Sequence, residues 1–213
     1  MKDENATSHE EEVKRAQDRF EQFKQSASVL DEEARRLLFT EARSQNGWLD
    51  RPVAEDVLRE IYALAKMGAT SMNGSPAHFA FINSEEGKER LRPTILPFNL
   101  EKVMTAPVVT VIAHDEEFYK NLEKLFPHSP GADSLFKKDQ DLAQITAFRN
   151  GTLQGAYFML AARAVGLDCG PMSGFDNTAV DKEFFSGTSL KSNFLCCLGY
   201  GDPKKIFGRF PRL

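Results

Sequence analysis

The sequence predicts an α+β fold, a central sheet flanked by helices, and three observations predict it. Helical and strand-like stretches are mixed along the chain without a regular βαβ alternation, which argues against a doubly wound parallel sheet. The strand candidates, Phe79–Ile82, Val108–Ala113 and Phe194–Leu198, are short apolar runs, partly β-branched, of the kind buried strands carry. The 213 residues, 41% hydrophobic and 27% charged, are enough to close a real core and exclude wholesale disorder.

The elements follow in order. Val13, Ala16, Phe20, Phe23, Ala27 and Leu30 step by three and four, giving one narrow apolar seam on a highly charged helix. Such a seam suits a coiled-coil edge or docking onto the main domain or a partner subunit. We therefore divide the chain into a helical extension, 1–36, and a main domain, 37–213. Asp31 is placed to cap a helix running to about Arg43, with Leu37 and Leu38 facing inward. Leu58, Ile61, Tyr62 and Ala65 mark the buried face of a third helix, which gives way to the polar loop Ala69–Pro76. Short helices are expected over Glu85–Arg92, over Leu100–Met104 and around Phe118–Phe126, followed by a proline- and glycine-bearing excursion, Phe126–Ser134. Asp139–Gly166 is the longest helical candidate. Its second half, Ala156–Val165, is apolar almost all round and predicts a buried central helix. The close, Gly199–Leu213, is a basic tail with prolines.

Much is excluded. A formal net charge of -4 offers no basic stripe for nucleic acid. No run reaches the ~18 apolar residues of a membrane span, and Met1–Glu12 lacks the apolar core of a signal peptide, so a cytoplasmic protein is expected. Cys169, Cys196 and Cys197 form no CxxC and fit a reduced compartment. His9, His78, His114 and His128 have no metal-ligand spacing, and no metal is expected. Ser134-Leu-Phe-Lys137 matches SxxK without its companion motifs, and GxSxG, Walker and GxGxxG patterns are missing. A cofactor carrying the difficult chemistry is then the attractive reading.

Four separated segments carry groups suited to a phosphorylated planar ligand. They are Arg43-Ser44-Gln45-Asn46-Gly47-Trp48, the Thr70-Ser71-Met72-Asn73 loop, Asn99 with Lys102 on one helical face, and the glycine-punctuated loop Gly166–Asp176 leaving the long helix. Singly each is weak: Arg43 also reads as a helix-end residue, and Gly170 and Gly174 as a cap and a turn.

In this order and spacing they resemble the nitroreductase family of FMN-dependent oxidoreductases. The resemblance runs from about Leu37 to Arg212 and is carried by Ala42–Trp48, Thr70–Pro76, Gly87–Pro93, Thr146–Asn150, Gly170–Asp176, Leu190–Asn193, Gly199–Asp202 and Arg209–Leu213. Within the family it is nearest the subgroup of malonic semialdehyde reductases of uracil (pyrimidine) degradation. The resemblance implies an intertwined homodimer with a mixed or antiparallel sheet, bound FMN, and NADH or NADPH as hydride donor. It places Arg43, Ser44 and Arg209 at the FMN phosphate and Asn99 and Lys102 at the pyrimidine edge, with Asn46 nearby. Pro171, Ser173 and Gly174 fall beside flavin N5, and Thr70, Ser71 and Asn73 on a loop brought by the second subunit. Asn46 stands where many members have Arg or Lys, and Ser173 where some have Glu. No single side chain is singled out as the catalytic acid.

A carboxylated substrate would need a further cation. Arg149, a charge on an otherwise buried helix, is the candidate, with Lys191 behind it; the alternative for Arg149 is an ion pair with Glu116 or Asp141. The functional expectation is reduction of malonic semialdehyde to 3-hydroxypropionate. The alternatives are a broad nitroaromatic or quinone reductase of the same fold and, more distantly, a flavin-binding scaffold without turnover.

Overall fold

The computed structural model describes residues 2–213, with side chains from Glu10 onward. Met1 and the side chain of His9 lie outside the described residues. The chain divides into two units, Met1–Arg36 and Leu37–Leu213.

The first unit holds helix α1 (Lys2–Ser26) and the single turn α2 (Glu32–Arg35). Asp31 caps α2 as its position predicts, its carboxylate accepting from Ala34 N at 2.8 Å.

In the second unit the expected helix to Arg43 gives way to a wide π turn, Arg36–Thr40. Leu37 is exposed and Leu38 half-buried, which corrects the expectation that both face inward. The later elements are α3 (Glu55–Ala65), β1 (Ala77–Ile82), α4 (Glu85–Leu91), α5 (Pro97–Thr105) and β2 (Val108–Asp115). They continue with α6 (Leu122–Leu125), α7 (Asp133–Lys138), α8 (Gln140–Ala164), β3 (Asp168–Met172), α9 (Asn177–Phe184) and β4 (Leu190–Gly199). The four strands form one antiparallel sheet in the order β1-β2-β4-β3.

Strand β2 lies in the interior of this sheet, with helices over both faces. That is why its run is continuously apolar rather than alternating. Val109, Val111 and Ala113 point into one core with Ile82, Leu91, Val103, Leu195 and Cys197. Val108 and Ile112 point into the other with Leu58, Ile61, Phe158, Cys169 and Cys196. A third cluster, Phe118, Tyr119, Leu122, Phe136, Ala143 and Ala147, ties the 118–138 excursion to α8.

Helix α8 crosses the sheet closely because two of its residues have no side chain. A Cβ on Gly151 would lie 2.8 Å from His114 Cβ, and one on Gly155 2.7 Å from the Phe194 ring. Asp139 caps α8, accepting from Leu142 N at 2.9 Å, and Gly166 (φ 85°) closes the turn after it.

Two expectations fail here. Ala156, Tyr157 and Ala164 are exposed, so the second half of α8 is not buried all round. Asp168–Met172, expected as part of a loop, is strand β3. It is an edge strand, where Pro171, with no N–H to donate, is tolerated.

Candidate functional site

The site is built along the free edge of β3. Residues 43–48 run beside it: Ser44 bridges Cys169, Gln45 N donates to Cys169 O at 2.9 Å, and Trp48 bridges Gly201. This ribbon brings the C-terminal tail back onto Arg43. One Arg43 N–H group donates to Phe207 O, and Arg209 donates to Thr40 O and Ala42 O. A niche of about 160 Å³ results, lined by Arg43, Ser44, Asn46, residues 207–210 and Arg212. Three guanidinium groups border it, and among the described residues none of them is in an ion pair. A small, partly exposed hollow with three unpaired cations and a hydroxyl fits a phosphate dianion. Arg212 is the member that the sequence reasoning missed; its place in Arg209-Phe-Pro-Arg212, three residues from an assigned arginine, was the available signal.

The other end lies on α5 and the turn after β3. Asn99 and Lys102 are both buried on α5, three residues apart on one face. Asn99 Nδ2 donates to Gly174 O at 3.2 Å, and Leu96 N donates to the same oxygen at 3.1 Å. A Cβ on Gly174 would lie 2.3 Å from Asn99 Nδ2 and 2.8 Å from the Phe98 ring, so a side chain there would displace the Asn99 amide that bonds Gly174 O. Pro171 is half-buried and Ser173 exposed beside it. Burial pushes the Lys102 ammonium below its ordinary pKa, and among the described residues no carboxylate pairs with it. Trp48 Nε1 donates to Lys102 O at 3.0 Å, joining this end to the arginine ribbon. The turn that a Cβ would fill and the unpaired buried cation fit the edge of a planar, electron-accepting ring.

Thr70, Ser71 and Asn73 are not brought to these groups within one chain. Their loop is packed on α8 and α6: Ser71 N donates to Asn150 Oδ1 at 2.8 Å, and Asn73 Nδ2 to Leu125 O at 3.0 Å. Met72, Asn73 and Ser75 all have left-handed backbones, with φ of 52°, 50° and 42°. Strain of this kind in successive non-glycine residues persists only where the surroundings fix it. Here Thr70 Oγ1 accepts from Ser75 N, and the Asn150 amide grips Ser71 at both its N–H and its hydroxyl. Asn150, buried on α8, is a second residue the sequence reasoning did not assign.

The burial expected around Arg149 is corrected. It is exposed on α8, beside Ile145, Phe148, Thr152, Leu153 and Ala156, and among the described residues it pairs with neither Glu116 nor Asp141. The argument from a buried charge therefore lapses. Lys191, the second choice, lies 3.8 Å from Asp181. All three cysteines are free and buried, and burial pushes the Cys197 thiol up to about 12, which leaves it inert.

Comparison with known proteins identifies the family, a class of cofactor-dependent oxidoreductases. The Nitroreductase family model matches residues 40–201, and the chain belongs to that family, whose members use FMN with NAD(P)H donors and are typically dimers. Relatives from Cupriavidus pinatubonensis and Ralstonia pickettii, each provisionally named an NADH dehydrogenase/NAD(P)H nitroreductase, are each 57% identical over 178 residues. Those residues are 83% of this chain and 91% of each relative. A nitroreductase structure from Bacillus subtilis superposes with a TM-score of 0.73 at 21% identity, covering 83% of this chain and 92% of that one. A nitroreductase from Exiguobacterium sibiricum, solved with FMN, gives 0.72 at 20% identity, covering 87% and 95%. At these identities the two structures show the fold.

Proposed function

We infer that this chain binds FMN between the arginine niche and the Gly174 turn and uses it to pass hydride from NAD(P)H to a small acceptor. The observation that carries this is the pairing of two unlike subsites on one ribbon. Three unpaired arginines lie at one end, and a buried lysine with the close Gly174–Asn99 turn lies at the other. When bound, FMN supplies the hydride chemistry, accepting from the donor and giving to the second substrate in alternate half-reactions.

The residues have separable roles in this reading. Arg43, Arg209 and Ser44 hold the phosphate, each charge-assisted bond contributing roughly 1.5–3 kcal/mol. Lys102 sets positive charge against the pyrimidine edge, where negative charge grows on reduction, and Asn99 fixes the Gly174 turn. Thr70, Ser71 and Asn73 serve the site of a second subunit in a homodimer. Support for that assembly comes from the exposed apolar stripe on α8, Ile145, Phe148, Leu153 and Tyr157, continued by Tyr62, Leu64 and Met67 around α3.

For the acceptor, the motif resemblance favours malonic semialdehyde. Arg149 then serves as a carboxylate anchor standing free on the stripe. The second reading, a nitroaromatic or quinone reductase, is favoured by the apolar surroundings of Arg149 and by the names of the 57% identical relatives. An anaerobic visible spectrum tests both. A yellow protein bleached by NAD(P)H and recoloured by malonic semialdehyde establishes the first; recolouring only by quinones or nitroaromatics establishes the second. A colourless protein that refuses added FMN overturns the site itself.

A further inference from the structure

We propose that helix α1 pairs antiparallel with the α1 of a second copy of this chain. The helix lies before the residues the family model matches, so the oxidoreductase reading leaves its seam unexplained. Val13, Ala16, Phe20 and Phe23 occupy successive a and d positions of a heptad, and Val13, Phe20 and Phe23 are 42%, 63% and 59% exposed. Two adjacent phenylalanines left in water on a helix of 25 residues call for a partner.

Side-chain size selects the second copy and its direction. A parallel pair would stack Phe20 on Phe20 and Phe23 on Phe23 of the second copy, and leave Ala16 opposite Ala16. An antiparallel pair centred near Asp18 sets Phe23 against Val13 and Phe20 against Ala16, twice each by symmetry, so that all four layers have similar volume.

Charge selects the same direction. Flanking the seam are Glu10, Gln17 and Lys24 on one side and Glu12, Arg19 and Ser26 on the other. In the parallel pair Arg19 meets Lys24 of the second copy twice, and both contacts are repulsive. In the antiparallel pair Glu10 meets Lys24 of the second copy twice, Gln17 meets Gln17, Glu12 meets Ser26, and the one like-charge contact is Arg19 with Arg19.

The test is a cysteine pair in the full-length protein, Val13→Cys with Phe23→Cys, mildly oxidised and peptide-mapped without reduction. Ten helical residues separate the two positions by about 15 Å, so a 13–23 link cannot form within one helix. The proposal expects 13–23 links. Introducing Lys24→Glu should lower their yield several-fold, and adding Glu10→Lys to that variant should restore it. Links joining 13 to 13 and 23 to 23, a yield raised by Lys24→Glu, or no link while circular dichroism shows the helix intact would each overturn it. The outcome is independent of the FMN reading, since no residue tested belongs to that site.

Discussion

The two ends of the candidate site are built on opposite principles. At the Gly174 end Asn99 and Lys102 are buried and one carbonyl sets the spacing, accepting from both Leu96 N and Asn99 Nδ2, and a Cβ at 174 would collide with that Asn99 amide. At the arginine end Arg43 is half-buried and Arg209 and Arg212 are exposed, and their positions depend on a tail carrying little regular structure. In the FMN reading proposed above, the two ends divide the work: shape holds the ring and screened charge collects the phosphate.

The sharpest way to break that comparison is Gly174→Val. Its Cβ would meet Asn99 Nδ2 and the Phe98 ring, so the variant should be isolated without flavin. It should also lose about 1–3 kcal/mol of stability, measured by denaturant titration. Next in size, Arg43→Ala or Arg209→Ala should weaken FMN about 10- to 100-fold while leaving riboflavin affinity unchanged, because only FMN carries the phosphate. Wild-type FMN affinity should fall with added salt, and riboflavin affinity should not; equal salt dependence would undo the division of labour.

Smaller again, Lys102→Met should retain flavin but lower its two-electron potential by roughly 30–60 mV, read by dye equilibration. An unchanged potential would remove Lys102 from the ring edge. The smallest effect lies outside the site. His114 is buried with Nδ1 unpartnered among the described residues, and burial pushes its pKa below 6.5, with Asp181 and Asp115 opposing and Lys191 assisting. A base whose folded pKa is depressed contributes full stability above its unfolded pKa and loses it as pH falls. His114→Gln should therefore flatten the acid-side fall in Tm below about pH 6.5 by a few degrees, without altering flavin binding.

The legibility of the sequence follows from how local each feature is. Asp31 was readable as a cap because a cap bonds within three residues of itself. The β2 run was readable because burial on both faces writes an unbroken apolar string. Strand β3 was not, since Gly170 and Pro171 disfavour strands and only pairing with Cys197 and Cys196 of β4 makes one. Arg149 misled because α8 is apolar on more sides than the protein covers, and composition does not say which side is left open.

By itself the sequence determined the class of fold, the apolar periodicity of its helices, the seam of α1 and the family to which residues 40–201 belong. Periodicity and short-range hydrogen bonding fix those features before any long loop closes. Only the tertiary structure supplied the contacts: Arg209 on Thr40 O and Ala42 O beside Arg43, Asn99 Nδ2 on Gly174 O, and Ser71 N on Asn150 Oδ1. Those are contacts between segments far apart in the chain. Their geometry comes from strand pairing and close packing, and the pattern of residues along any one segment does not contain it.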